Sequence, residues 1–544
     1  MSWPRVRDAG DSALLLELEP VIDESVNQRA IAIAAALRRE PIAGIRDVVP
    51  TYRSVAVHFD PLAVDVEVVR DAIARARSTP AIARDSRLLE VPVTYGGDAG
   101  PDLADVAALV GVPADDVIAR HVSREYRVFM LGFLPGFAYM GSVDPAIAVP
   151  RRASPRTRVP AGSVGIAGQQ TGIYPMESPG GWQIIGRTEL AIFDPQRTPA
   201  AVFAPGDRVR FVRRETSGTR TPAGTPGGAE SPAYSTGRAL TVLSPGLFTT
   251  VQDSGRWGHQ SEGVPVSGAM DWFSHRRANA LVGNRPDAAS LEATLLGPEL
   301  RVEHSATIAV AGANLTATID GAPVAMERPT SCSAGSVLRF GQRHSGARAY
   351  VAFDGGIDVP DVLGSKSTHV RSGLGGCNGR ALRAGDRISL GAAEPPRVFR
   401  HTSSNEIDVR GGARLRVLLG PQDELFSPEA IRTLLQSRFT ISTASDRMGY
   451  RLSGERVTRS DGGEMISDAT FLGAVQIPPS GEPILLLVDR QTVGGYPQIA
   501  TVITADVPLA GQLAPGDWIE FEQCSRVEAI AALEAREAAV HAID

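Results

Sequence analysis

Of the 55 basic residues in this 544-residue chain, only Lys366 is lysine; the rest are arginine. One amine leaves little room for a phosphate-binding P-loop, and "GSKST" at Gly364–Thr368 places its lysine at the wrong offset. Lys366 also lies between serines rather than methionines, so the chain is expected to carry no biotin of its own. Cysteine is almost as scarce. Cys332, Cys377 and Cys524 stand far apart without a CxxC pair, which excludes a disulfide framework and a cysteine zinc site. No histidine pair has zinc spacing, and no metal-ligand set is expected. "HQSEGVPVSG" is not a G-x-S-x-G elbow. No run of eighteen apolar residues exists to span a membrane, and the amino terminus lacks the apolar segment of a signal peptide. A cytoplasmic protein is therefore expected. A net charge of -6 gives no electrostatic footprint for nucleic acid.

What is present is too long for one core, and two to four domains are expected. Residues 1–85 read as a small α+β domain: "ALLLELE" and "SVAVHFD" as strands, "ESVNQRAIAIAAALRRE" as an amphipathic helix. Asp60-Pro61 reads as the cap and first residue of a second helix through Val69 and Ile73. Residues 86–212 read as two short helices followed by a β unit. Residues 213–238, rich in Thr, Gly, Pro and Ser, read as a flexible linker between two fused proteins. Two more β units are expected at 239–395 and 396–525, then a helical tail at 526–544. One ending recurs three times: "APGDRVRF" at Ala204–Phe211, "RAGDRISL" at Arg383–Leu390 and "APGDWIEF" at Ala514–Phe521. Each reads as a Gly-Asp turn feeding a closing hairpin, so three related β units are inferred.

A second repeat points to function. "QQTGIYPMESPGGW" (Gln169–Trp182) and "RQTVGGYPQIA" (Arg490–Ala500) share Gln-Thr, glycine and Tyr-Pro. Glycines let a backbone approach a ligand, and Gln and Tyr supply polar tips. Gln170, Tyr174 and Glu177, with Gln491, Gly494, Gly495 and Tyr496, are thus candidate wall residues of one shared chamber. Aromatic residues crowd the turn Leu134-Pro135-Gly136, as a pocket rim, a partner surface or plain core. Arg156 and Ser163 lie near a glycine-rich turn suited to an anion. Beyond the linker, Asp253, Arg256, Ser267, Gly268, Asp271, Arg447, Tyr450 and Asp489 interleave Arg and Asp with glycine, a pattern suited to a small polar or phosphorylated substrate.

The stretches "REYRVFMLGFLPGFAYMG" and "PRRASPRTRVPAGSVGIAGQQTGIYPMESPGGWQIIGRT" resemble the B subunit of 5-oxoprolinase, the KipI type also described as allophanate hydrolase subunit 1. "LSPGLFTTVQDSGRWGHQSEGVPVSGAMD", "GPQDELF", "SDRMGYRL" and "DRQTVGGYPQIATVI" resemble the C subunit of the same enzyme, the KipA-type partner. The sequence departs from the family pattern at Ala138, where proline is usual, at His369, where tyrosine is usual, and at Ser467–Thr470. The resemblance implies an α+β, mainly β fold: a small N-terminal α/β sandwich, then cyclophilin-like β-barrels, one in the first half and two in the second. It implies three activities: ATP-dependent opening of 5-oxoproline with the LamB-type A subunit of 5-oxoprolinase, carboxyl transfer from carboxybiotin to urea, or inhibition of a histidine kinase. The urea route needs biotin carboxylase and carrier domains that these residues do not contain. Fusing inhibitor to antagonist would hold both at high effective concentration and defeat a switch. The enzyme is therefore favoured, with ATP and Mg²⁺ as the expected cofactors. Asp253, Arg256, Asp271, Arg447 and Asp489 are expected to be catalytic and the remaining candidates to bind substrate or nucleotide; self-association is left open.

Overall fold

The computed structural model describes residues 3–541 apart from 79–85, 215–236, 394–408, 461, 462 and 464. Most of the expected linker, and the boundaries near 85 and 395, therefore fall outside the described residues. The chain begins with a four-stranded sheet in the order Arg5–Asp8, Ala13–Glu17, Ser54–Phe59, Ile45–Pro50, packed against helices Glu24–Arg39 and Val66–Ser78. Asp23 caps the first helix by accepting the N–H groups of Ser25 and Val26. The second helix starts later than the Asp60-Pro61 signal suggests. Asp60 instead closes a turn on Leu62 N–H, and Asp65 accepts Glu67 N–H at 2.8 Å at the real helix start. Leu14, Leu16, Val55 and Val57 face the helices; Ala13, Leu15, Val49 and Ala56 face Ala469, Phe471 and Ala474 at the far end of the chain. Burial on both faces explains the run of three leucines where a half-exposed strand would alternate.

Two seven-stranded barrels close completely. The first comprises Leu88–Tyr95, Glu125–Leu131, Ala138–Gly141, Ser163–Ala167, Gln170–Ile173, Gln183–Arg187 and Arg208–Arg213. The second comprises Gly412–Leu419, Arg438–Ile441, Gly449–Ser453, Ala474–Gln476, Ile484–Leu486, Gln498–Val502 and Trp518–Gln523. Between them lies a unit of two sheets, seven- and five-stranded, whose residues Leu240, Val251, Leu291, Val310, Val351 and Ile388 share one core. The barrel expected there is thus a two-sheet sandwich. Helix Arg526–His541 closes the described chain, seating Ala529 and Leu533 on Ile503 and Ala505. Among the described residues no helix is long and apolar enough to cross a membrane.

The repeated Gly-Asp turn is the same device three times. Asp207, Asp386 and Asp517 each accept the N–H three residues back, at 2.9, 2.7 and 2.8 Å, while their own N–H groups bond the carbonyl of that residue. The preceding glycine, at φ +94°, +88° or +92°, donates its N–H to the carbonyl of Val128, Val242 or Ile441, whose own N–H returns to the aspartate carbonyl. The strand that follows is not the return arm of a hairpin, as the sequence suggested. In both barrels it pairs in parallel with the first strand, Arg208 opposite Leu88 and Gly412 opposite Trp518, which closes the ring.

Candidate functional site

One segment, residues 253–271, organises the seam between the middle unit and the last barrel. It leaves strand Phe248–Gln252, and its first residue is spent at once. The Asp253 carboxylate accepts Gly255 N–H at 2.8 Å, Ser365 Oγ at 2.7 Å, Lys366 N–H at 2.6 Å and the Ser367 hydroxyl. Arg256, wholly buried, grips the same loop from its other side: Nε donates to Val362 C=O at 2.7 Å and Nη2 to Ser367 C=O at 2.8 Å. Glycine is required beside it. A Cβ on Gly375 would lie 2.1 Å from Ser367 O and 2.8 Å from Arg256 Nη2.

The segment next docks on the first half of the chain. Gln260 N–H donates to Asp47 at 2.9 Å, Glu262 C=O accepts Gly136 N–H at 2.7 Å, and the Glu262 carboxylate accepts Ala201 N–H at 2.8 Å. The aromatic Leu134-Pro135-Gly136 turn therefore meets the chain's own second half. Returning, Ser267 takes φ +59°, uncommon for any residue but glycine, and donates its N–H to Val488 C=O at 3.0 Å. Gly268 C=O accepts Arg447 Nη2 at 2.6 Å. Arg447 is matched by carboxylates: Nε donates to Asp489 at 2.9 Å and Nη1 to Glu292. Glu292 in turn accepts Met270 N–H at 2.9 Å and the Tyr350 hydroxyl at 2.7 Å. Burial alone would lower the affinity of Arg447 for its proton, but Asp489 and Glu292 more than reverse this and fix the cation.

The structure thus brings together Asp253, Arg256, Ser267, Gly268, Arg447 and Asp489. It adds His369, noted in the sequence only as a departure from the family pattern: a buried ring on the loop that Asp253 and Arg256 hold. Burial, reinforced by Arg256, Arg447 and Arg371 against Asp489, holds this imidazole below its ordinary value, so it is neutral at pH 7. Asp271 and Tyr450 lie close by but are committed elsewhere. Asp271 caps helix Trp272–Leu281 through Ser274, and the Tyr450 hydroxyl accepts Arg348 Nη1 at 3.0 Å while donating to Ala510 C=O.

Candidates from the first half gather elsewhere. Arg156 donates to Asp102 at 2.8 and 2.5 Å, bracing a buried carboxylate that also accepts Ile184 N–H. Glu177 pairs with Arg158 on the exposed surface at 2.6 Å. Gln170 Nε2 donates to the Tyr52 hydroxyl at 2.5 Å, and Ser163 is buried nearby in the same barrel. Tyr174 lies in an aromatic cluster with Phe133, Phe137 and Trp182. Tyr496, by contrast, is 43% exposed. The shared chamber walled by Tyr174 and Tyr496 is therefore not formed: Val493 of the second hairpin enters the aromatic cluster, set on Gly132, and leaves Gly495 and Tyr496 outside. Gln491 contributes its C=O to the Thr470 hydroxyl, and Gly494 pairs with Asp468.

Two further polar groups sit where the halves meet. Arg490 donates to Gln260 at 3.0 Å, and burial lowers its pKa to about 10 despite Asp47. Asp468 accepts the Ser54 hydroxyl, and Thr51 Oγ1 at 3.3 Å. Sequence reasoning did not select Asp468, Glu292 or Arg348, since isolated charges on strands carry no spacing signal.

A cleft of about 400 Å³ opens against Asp253, lined by Asn284, Arg285, Asp287, Gly355, Gly356, Asp361, Gly364 and Lys366. A larger one, about 560 Å³, lies between the helices of the first domain, with Arg29, Arg77 and Ser78 its polar side chains, remote from this convergence.

Comparison with known proteins places two family models on the chain: carboxyltransferase domain, subdomain C and D, over residues 4–203, and carboxyltransferase domain, subdomain A and B, over residues 262–523. The chain is 38% identical to the 5-oxoprolinase C subunit of Escherichia coli over 54% of its own length and 94% of that protein. It is 42% identical to the 5-oxoprolinase B subunit of Bacillus subtilis over 38% of its length and 92% of that protein. Urea amidolyase of Saccharomyces cerevisiae is 34% identical over 56% of the chain, but only 18% of that much longer protein is covered. The crystal structure of TTHA0988 superposes with a TM-score of 0.84 at 38% identity, covering 95% of this chain and all of that one.

Proposed function

Because the chain belongs to the carboxyltransferase-domain family that includes the B and C subunits of 5-oxoprolinase, we propose that it is the fused B and C component of an ATP-dependent 5-oxoprolinase. Its task is to activate the lactam for hydrolysis to glutamate with a LamB-type A subunit. A lactam resists water because amide resonance is strong, as the ~18–20 kcal/mol rotation barrier of the peptide bond shows. Attack of the lactam oxygen on the γ-phosphorus of ATP forms a C–O–P linkage, releases ADP and removes that resonance. Water then adds to the carbon, the C–N bond breaks with the nitrogen taking a proton, and a second water releases phosphate. Hydrolysis is assigned to the LamB-type partner.

The observation that carries this reading is Asp253, which forms the wall between the polar cleft and the buried seam. The cleft suits a nucleotide: Gly364 leaves open space for close backbone approach, and Lys366, paired with Asp358 at 3.2 Å, and Arg285, paired with Asp287 at 2.9 Å, are cations that phosphates would compete for. Asp287 and Asp361 line the same cleft, and Mg²⁺ held by phosphates asks the protein for only one or two carboxylates. The test is to mix the protein with a LamB-type partner, Mg-ATP and 5-oxoproline. Glutamate and ADP formed together are expected; ADP release indifferent to 5-oxoproline overturns the reading. The likeness to urea amidolyase supports a second reading, carboxyl transfer to urea, which product formation from urea and a carboxylated biotin carrier would select.

A further inference from the structure

Four buried polar atoms at the seam bond nothing among the described residues: Arg256 Nη1, Ser267 Oγ and both ring nitrogens of His369. All three residues are at most 3% exposed. Two hydrogen bonds, one main-chain and one from the guanidinium, set the three residues beside one another. Arg256 N–H meets Val266 C=O at 2.6 Å, next to Ser267, and Arg256 Nη2 meets Ser367 C=O at 2.8 Å, two residues before His369. An unmade hydrogen bond in a buried site costs free energy, and such groups persist where a ligand or water completes them. Ser267 adds to that cost by holding a left-handed backbone.

The charges identify the missing partner. Arg447 faces Asp489 and Glu292 directly, but Arg256 spends its other two nitrogens on neutral carbonyls; Asp253, Asp361 and Asp489 act on it only through space, none within ion-pair distance among the described residues. Asp253, the nearest anion in sequence, is occupied by N–H and O–H donors. One cationic N–H edge, one hydroxyl and one neutral imidazole N–H amount to three donors on residues beside a guanidinium that no carboxylate touches. That set suits a flat monoanion with two oxygens better than a phosphate, which carries more charge and a third oxygen. His369 lies close to the surface along the chain: it exchanges backbone bonds of 2.8 and 3.1 Å with Leu374, closing a turn in which Val370 is 43% exposed.

We propose that Arg256 Nη1, Ser267 Oγ and His369 form the seat of a small carboxylate, which fixes the substrate class as a compact amide bearing one carboxylate. Resting on the reading above, that group is the carboxylate of 5-oxoproline, held so that its lactam oxygen faces the cleft behind Asp253. Urea, which has no carboxylate, does not fill the seat.

Calorimetric titration of the full chain, with and without Mg-ATP, tests this with 5-oxoproline, 2-pyrrolidinone (the same lactam without its carboxylate), lactate and inorganic phosphate. 5-Oxoproline is expected to bind at least about tenfold tighter than 2-pyrrolidinone, tenfold being 1.4 kcal/mol. Ser267→Ala and His369→Ala are each expected to lose about tenfold for 5-oxoproline and nothing for 2-pyrrolidinone. The Ser267→Ala thermal midpoint without ligand should be unchanged or raised, because an unmet polar group is removed at almost constant volume, whereas His369→Ala leaves a cavity and should lower it. Equal affinity for the two lactams, phosphate displacing 5-oxoproline from wild type, or variants that bind 5-oxoproline like wild type would each overturn the seat. Lactate held through both side chains while 5-oxoproline is not bound would keep the seat and overturn the functional reading. Glutamate formation with both variants binding 5-oxoproline normally would do the reverse.

Discussion

Replacing Asp271 separates two roles open to a buried carboxylate beside a site. Its oxygens accept Ser274 N–H at 2.9 Å, the Ser274 hydroxyl at 2.5 Å and Gln512 Nε2 at 2.7 Å. In Asp271→Ala the lost helix cap costs about 1 kcal/mol. Gln512 Nε2 keeps Arg348 C=O at 2.9 Å, so only the serine hydroxyl is fully stranded, at about 1–3 kcal/mol. The sum is about 3 kcal/mol. With a urea slope of about 2 kcal/mol/M, the midpoint should fall by about 1.5 M. Asp271→Asn keeps the cap but turns an amide N–H₂ toward Gln512 Nε2, a loss nearer 1 kcal/mol. Burial raises the Asp271 carboxyl pKa, with Ser274 and Gln512 offsetting only part of the shift. Folded Asp271 therefore binds its proton more tightly than unfolded, and its contribution declines as pH rises above the ordinary carboxylate range. The asparagine variant should lack that decline. Urea unfolding followed by Trp272 fluorescence, with glutamate release normalised to folded protein, checks both effects. Activity per folded molecule within about twofold of wild type is expected for Asp271→Asn. A well-folded Asp271→Asn protein that has lost activity tenfold or more would show that the carboxylate takes part in the chemistry, and would refute the assignment to helix capping.

The contact between the halves is equally exposed to test. A Cβ on Gly132 would lie 2.2 Å from Val493 Cγ2, so Gly132→Ala should cost about 2 kcal/mol by overpacking, read from Trp182 fluorescence in urea. Val493→Ala should restore part of that loss in the double variant, with a coupling of about 1 kcal/mol; strict additivity would mean the two residues do not meet. His58 is buried against Phe471, and burial, with Arg490 and Arg46 adding, lowers its pKa to about 3 from an ordinary 6.5. Unfolded His58 thus takes up a proton between those values while folded His58 does not, so stability should fall as pH drops through 6.5 toward 3, by up to about 1.4 kcal/mol per pH unit. His58→Gln should flatten thermal midpoint against pH over that range; an unchanged slope would rule out this histidine as a source of acid lability.

Much of the fold was legible because it is written locally. The Gly-Asp turns announce themselves by a glycine with positive φ and a carboxylate that bonds three residues back, both visible in the letters. What the letters could not carry was which strand the turn would close on. Arg208 opposite Leu88 is a parallel pairing more than a hundred residues apart, with no turn between the two to set its register. The same holds for the site. Asp253, Arg256 and Ser267 were readable because they share a glycine-rich segment. His369 showed only as a departure from the family pattern, since its place in the site arises from what surrounds it. Asp271 was expected to be catalytic and Arg156 to bind an anion; the structure commits the first to capping a helix and the second to bracing Asp102, roles that use the same residue types as a site. Tyr496 was misread because repetition of Tyr-Pro was taken as repetition of environment, while one copy packs in a core and the other faces solvent.

The geometry also bears on why both halves sit in one chain. The first half places no orphaned atom in the seat, yet it holds the turn from which the seat hangs. Residues 259–263 are fixed by Asp47, Gly136 and Ala201, and the ends of that turn carry Arg256 on one side and Ser267 on the other. In two of these three contacts main-chain N–H groups of the first half donate to Glu262, so losing the first half would leave the Glu262 carbonyl and carboxylate without those donors rather than only expose apolar surface. Separate halves would have to rebuild those bonds at each encounter, whereas a tether keeps them at high effective concentration. The seat is therefore a property of both halves, although every side chain that lines it comes from one.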